Sequence, residues 1–173
     1  VVHAHRAILA RAMMQTGWTG LTEQDRLLHA GAFNWTYTLG TGLLDPWTQG
    51  ATALIPAAGT PVQAIPRLLA DHGATIFAAA PGIYRQILHH GLPSLPQLRH
   101  ALSAGEKLPQ AIRDTWAATT GTDIHEAYGM SECSTFISGS LHRPAPPHTL
   151  GYVQNGRTIA LLDNGTPADH GQI

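Results

Sequence analysis

The chain has 173 residues and a mass of 18.4 kDa, and 43% of it is hydrophobic, which suits one ordinary domain and excludes a disordered linker. Ten Lys and Arg stand against 11 Asp and Glu, so the formal charge is -1, and no basic block is ready to neutralise a phosphate backbone; nucleic acid is excluded as a partner. Only 12% of residues are charged and 18 are Gly, closer to the interior of a larger α/β protein than to a free-standing domain.

In chain order, Ile8, Leu9, Ala12 and Met13 recur at helical spacing and predict a helix over residues 5–14, with Gly17 as its terminating glycine. The run Arg26 to Ala30 predicts a strand, followed by a Gly- and Thr-rich loop from Phe33 to Gly42. Thr52 to Pro56 reads as a buried strand. Thr60 and Pro61 then offer a cap and a first-turn proline for a helix that Pro66 kinks or delays and that His72-Gly73 closes. Thr75 to Ala79 is the next strand, and Pro81 opens a helix carrying Ile83, Tyr84, Ile87 and Leu88. The unit repeats as strand His100 to Gly105, helix Pro109 to Thr120 and strand Asp123 to Ala127.

Strands alternating with helices predict an α/β fold, a mostly parallel sheet covered by helices. The stretch Arg143 to Pro147 breaks this rhythm, and Arg157 to Asp163 before Asn164-Gly165 predicts a strand entering a turn. Residues 1–142 are thus the α/β part. Residues 143–173 are a linker and a short β tail, the start of a further β region of the same domain.

Ligands of open parallel sheets bind where the carboxyl ends of strands meet their loops. Ser103-Ala104-Gly105-Glu106 offers small residues that admit a flat ligand to the backbone; a plain turn at Gly105 explains the same residues. Glu126-Ala127-Tyr128-Gly129-Met130-Ser131-Glu132 places an aromatic face, a hydroxyl and a carboxylate together, a set that suits a nucleotide or an ordinary solvated turn. Tyr128 would stack on a purine, Ser131 would meet a phosphate oxygen and Glu132 would hold Mg2+, which favours carboxylates shared with substrate phosphates.

Tyr128-Gly129-Met130-Ser131-Glu132 resembles the Tyr-Gly-x-Thr-Glu signature of the adenylate-forming superfamily of acyl- and aryl-CoA synthetases, luciferases and adenylation domains. A Val-His-x-His opening, an aromatic Leu-Gly-x-Gly segment, the strand before Pro81 and Tyr84, and the Ser-Ala-Gly-Glu-x-Leu-Pro loop follow in the family's order. Phe33 to Leu43 and the loop from Ser103 are most similar to the benzoate-CoA ligase branch. The resemblance implies ATP- and Mg2+-dependent activation of a small-molecule carboxylic acid, aryl or cyclic, to an acyl-adenylate, with AMP then displaced by coenzyme A. It implies an adenine pocket from Ser103, Ala104, Gly105, Glu106, Glu126, Ala127, Tyr128, Gly129 and Met130. Ser131, in place of the commoner threonine, would act at the α-phosphate, with Glu132 as the metal ligand. Trp35, Tyr37, Ala80, Gly129 and Thr135 would line the acid pocket.

The family's phosphate loop belongs before Val1, and its ribose-binding aspartate, hinge and lysine-bearing domain belong after Ile173. The chain is therefore expected to be a central fragment of the large domain, inactive alone. An adenylation domain that loads a carrier protein, and a truncated nucleotide-binding or interaction module without catalysis, are the alternatives.

A lone cysteine, Cys133, excludes an intrachain disulfide framework and fits a reducing, cytoplasmic setting. No apolar run approaches the roughly 18 to 20 residues that span a bilayer. The 11 histidines, His3 and His5 among them, lack metal-ligand spacing and read as packing or hydrogen-bonding residues. Trp18, Trp47 and Trp116 read as core, while Trp35 is assigned to the pocket. A cut sheet exposes edges, which leaves room for a homodimer.

Overall fold

A computed structural model describes residues 1–171; the last two positions of the expected tail, Gln172 and Ile173, lie outside it. Helices α1 (Ala7–Ala10), α2 (Thr36–Leu39), α3 (Asp45–Thr48), α4 (Ile65–Asp71), α5 (Pro81–His90) and α6 (Gln110–Thr120) are interspersed with strands β1 (Arg26–His29), β2 (Thr52–Leu54), β3 (Ile76–Ala79), β4 (His100–Ala104) and β5 (Ile124–Met130). Strands β6 (Ser134–Ser138), β7 (Tyr152–Val153), β8 (Leu162–Asp163) and β9 (Thr166–Pro167) follow. Seven strands make one sheet in the order β2-β1-β3-β4-β5-β6-β7, parallel from β2 to β5 and antiparallel through β6 and β7. A two-stranded ribbon of β8 and β9 turns on Asn164 and Gly165, both at positive φ (47° and 80°), as an Asn-Gly pair favours. The fold is the mostly parallel, helix-covered α/β sheet with a short β tail.

The central strands are apolar on both faces because both are covered. Side chains alternate across the sheet, so Leu28, Phe77, Ala79 and Ala101 enter one core with Leu69, Tyr84, Ile87 and Trp116 from the α4, α5 and α6 side. Leu27, Ile76, Ala78 and Leu102 enter the other with Trp18 and Tyr37. Phe77, Tyr84 and Trp116 pack ring to ring at centroid distances of 5.0 to 5.9 Å. Each such buried side chain contributes about 1.5–3 kcal/mol. Pro81 starts α5 where its missing N–H costs nothing, and Gly121 (φ 70°) ends α6 in the left-handed region.

Several local expectations are corrected. The helix over residues 5–14 is interrupted: the single turn α1 gives way to a turn at Arg11 and Ala12, and helical Met13 and Met14 lead into a π-helical Gln15–Thr19 that contains Gly17 and ends at Gly20 (φ 57°). Phe33 to Gly42 is largely helical: α2 runs through a second π-helical turn, Gly40–Leu44, into α3, because the segment packs across the sheet face through Tyr37. Strand β2 is an edge strand and partly exposed rather than buried. Pro66 does delay its helix, α4, which has a proline in its first turn after a 3-10 turn at Val62–Ala64. Tyr128, Gly129 and Met130 belong to β5 itself, since antiparallel pairing with β6 prolongs that strand past its parallel partner β4. Trp47 is 63% exposed and is not core.

Candidate active site

The carboxyl ends of β4 and β5 diverge because β5 turns to pair with β6. Pairing carries a bulge between Tyr128 and Gly129, and a side chain on Gly129 would collide with the backbone of Ser134 and Thr135. At the end of β4, Gly105 has φ 96°, and a Cβ there would lie 2.6 and 2.7 Å from the Trp35 ring atoms Cζ2 and Cη2. The indole therefore rests directly on the Gly105 backbone.

These two glycines border two adjoining cavities. The smaller, about 80 Å³, is walled by Trp35, Tyr37, Met130, Ser131 and Thr135 with Ala104. Trp35 meets Tyr37 edge to face at 5.1 Å, and the buried Tyr37 donates to the Leu102 carbonyl at 3.2 Å. The larger cleft, about 870 Å³, is walled by Glu106, Ala127 and Tyr128 on one side and by the segment His148, Thr149 and Leu150 on another. Tyr128 is 40% exposed, supported edge to face by Phe136.

The Ser131 hydroxyl lies 2.9 Å from that of Thr36, and its carbonyl accepts from His3 Nε2 at 2.7 Å, so the β5–β6 turn is tied to two distant segments. Glu132 is exposed on that turn and lines neither cavity. Ser103, buried in β4, and Ala80, before α5, also lie outside both. Glu126 borders the larger cleft, but its carboxylate is committed: Oε1 accepts from the Leu108 N–H at 2.8 Å and Oε2 pairs with Arg113, which also donates to the Ile124 carbonyl. It ties the loop after β4 to β5 and α6.

Residues that no local motif singled out complete the smaller cavity. Arg11 enters it with its side chain 11% exposed and forms a two-point ion pair with Asp45, Nε to Oδ1 at 2.6 Å and Nη2 to Oδ2 at 2.7 Å. It also donates to Ser134 Oγ at 2.9 Å and Thr41 Oγ1 at 3.3 Å. Burial pushes the Asp45 carboxyl up, against the downward pull of Arg11. A side chain on Gly40 would strike the Arg11 guanidinium, so this glycine makes room for the ion pair. The contributing segments lie 30 to 123 residues from Arg11 in the chain, beyond any local spacing rule. His148 to Leu150, expected as linker, border the cleft for the same reason.

Gly129→Ala is expected to cost about 1–3 kcal/mol by driving a methyl into backbone, while Gly82→Ala, in open space on α5, gains about 0.5–1 kcal/mol. Thermal melts of the two variants should shift in opposite directions; equal shifts would show that the close approach at Gly129 is dispensable.

Among the described residues no three His, Cys, Asp or Glu side chains converge as a metal group, and no helix is long and apolar enough to cross a membrane. Residues 1–173 match the family described as AMP-binding enzyme. The chain is 31% identical over 135 residues to a 3-hydroxybenzoate/4-hydroxybenzoate-CoA ligase of Thauera aromatica, covering 76% of this chain and 26% of that protein. A benzoate CoA ligase from Burkholderia xenovorans LB400 superposes with a TM-score of 0.86 at 29% identity, covering 99% of this chain and 36% of that one. The anthranilate CoA ligase AuaEII, in complex with anthranoyl-AMP, gives 0.83 at 26% identity, covering 99% and 33%. The chain thus spans between a quarter and about a third of these relatives' length.

Proposed function

Because the chain belongs to the AMP-binding enzyme family, we propose that the protein carrying it uses ATP to convert a compact carboxylic acid, aryl or cyclic, to an acyl-adenylate and then to its coenzyme A thioester. The observation that carries this reading is the junction of a small aromatic-walled cavity and a large cleft of mixed apolar and polar lining at Gly105 and Gly129. A flat acid fits the Trp35 and Tyr37 walls, and a nucleotide fits the cleft with its base against Tyr128. The acid's carboxylate and the α-phosphate then meet beside Ser131. That AuaEII binds an aryl-adenylate supports the same division.

The chemistry needs no covalent nucleophile from the protein. A carboxylate oxygen attacks the α-phosphorus as the bond to pyrophosphate breaks; the thiol sulfur then attacks the acyl carbon and AMP leaves. Ser131, oriented by Thr36, donates to the α-phosphate oxygen, and the backbone around Gly105 holds the base. Glu132, an exposed carboxylate on the β5–β6 turn, offers one hard oxygen ligand of the kind Mg2+ shares with substrate phosphates. Mg2+ held there would neutralise developing phosphate charge. The one cysteine of these residues, Cys133, is free, and we place the protein in a reducing compartment such as the cytoplasm.

ATP–pyrophosphate exchange by the native polypeptide that carries residues 1–173 tests the reading. Exchange dependent on a benzoate-like acid, followed by thioester formation with free coenzyme A, is the expected result. No exchange with any carboxylic acid ends the proposal, and acyl transfer only to a carrier protein replaces its second step. Glu132→Gln should lower exchange by at least about 10-fold through lost charge stabilisation; an unchanged rate would remove Glu132 from the site.

A further inference from the structure

The smaller cavity has a polar wall whose donors the adenylation step leaves unused. An arginine has five N–H donors, and Arg11 spends two on Asp45, one on Thr41 and one on Ser134. One N–H on Nη1 has no partner. Ser134 Oγ accepts from that same nitrogen at 2.9 Å, so its own O–H is also free to donate. Both residues line the cavity, whereas neither lines the larger cleft. Ser134 occupies its place at φ 60°, a conformation costly for a residue with a Cβ and one that concentrates at ligand sites.

We propose that Arg11 and Ser134 determine specificity: their two adjacent donors receive a neutral oxygen substituent on the acid, so the preferred substrate is an oxygen-bearing small acid, such as a ring-hydroxylated one, over its plain hydrocarbon counterpart. Asp45 balances the guanidinium, so the wall offers direction without net charge, which suits a hydroxyl or carbonyl better than a second carboxylate. A site built to hydrogen-bond a substrate oxygen discriminates against an analogue lacking it, because its donors are then left unpaired. This inference rests on the reading of the small cavity as the acid site.

Removing Arg11 also strips Asp45 of its partner, so the test uses Ser134→Gly. Glycine is at ease at positive φ, which offsets the lost Arg11–Ser134 hydrogen bond, and the variant removes both the serine donor and the acceptor that holds the Arg11 Nη1 group in place. Affinities of the native polypeptide for benzoate and for 2-, 3- and 4-hydroxybenzoate are measured by isothermal titration, alongside pyrophosphate exchange with each acid. At least one hydroxylated acid should bind roughly 10- to 100-fold more tightly than benzoate, the range of a hydrogen bond to a charged group. That preference should fall to within about 3-fold in Ser134→Gly, with KM moving and kcat nearly constant. Equal wild-type affinities for all four acids, or a preference that survives Ser134→Gly, overturns the assignment. A binding preference lost in the variant, without exchange for any acid, would uphold the assignment and end the adenylation reading. Exchange without preference would do the reverse.

Discussion

Arg11→Met is expected to destabilise the protein by about 3–5 kcal/mol near neutral pH, the cost of leaving one member of a buried ion pair alone. Asp45 is 2% exposed at the start of α3, and beside Arg11 its other side-chain partner is Thr41. Its carboxyl is already pushed upward by burial. Without Arg11 it rises further and takes a proton, which caps the loss and gives it a pH dependence. The folded variant then binds more protons than the unfolded chain, so its deficit grows as pH rises and shrinks as pH falls. Replacing both partners, Arg11→Met with Asp45→Leu, should restore most of the stability, since apolar pairs often substitute for buried ion pairs. Urea denaturation of the two variants between pH 5 and 8 is the check; a single variant as stable as the double would show that the pair carries no structural load.

The second large effect is acid unfolding driven by buried histidines. Burial pushes His29 down to about 3 and His100 and His125 down to about 4 from an ordinary 6.5. Arg99 and His125 also bear on His100 as like charges, and its rings and those of His125 lie 5.6 Å apart. All three stay neutral in the folded state while the unfolded chain protonates them. Their stabilisation is therefore complete above about pH 6.5 and is lost as pH falls toward 4. For His100 and His125 the loss reaches about 3 kcal/mol each, and for His29 somewhat more. That sum rivals the roughly 5–15 kcal/mol of a whole domain, so cooperative unfolding is expected between about pH 6 and 4. Circular dichroism against pH reads it, and His125→Leu should move the midpoint to lower pH. A midpoint unmoved by that substitution would assign acid unfolding to other groups, among them Asp25, whose carboxyl is held low by Arg99 and Thr75 against its burial.

Most of the scaffold could be read before any coordinates. The runs Leu27-Leu28 and Ile76 to Ala79 are apolar on both faces, as a strand covered on both sides requires, and Pro81, Pro109 and Gly121 mark helix ends by backbone chemistry alone. Gly105 and Gly129, singled out from the sequence, do lie where a side chain would collide, Gly105 against the Trp35 ring and Gly129 against the backbone of Ser134 and Thr135, since close approach restricts residue type locally. Where reading failed, long-range packing was responsible. Phe33 to Gly42 carries loop-like composition, yet it is helical because Tyr37 is drawn onto the sheet beside Trp18 and His29. Trp47 has the residue type of a core position but the register of an exposed one.

The sequence by itself determined the alternation of strands and helices from β2 to β5, the two-sided burial of the central sheet and the motif at its carboxyl edge, because each depends on the periodicity and backbone freedom of neighbouring residues. The tertiary structure alone decided that Arg11 and Ser134 share one wall with Asp45 paired to the arginine behind it, that the Glu126 carboxylate is committed to Arg113 and Leu108 at the border of the cleft, and that His148 to Leu150 border it too. These groups meet through the strand order and through the switch from parallel to antiparallel pairing at β5, and neither leaves a trace in local spacing.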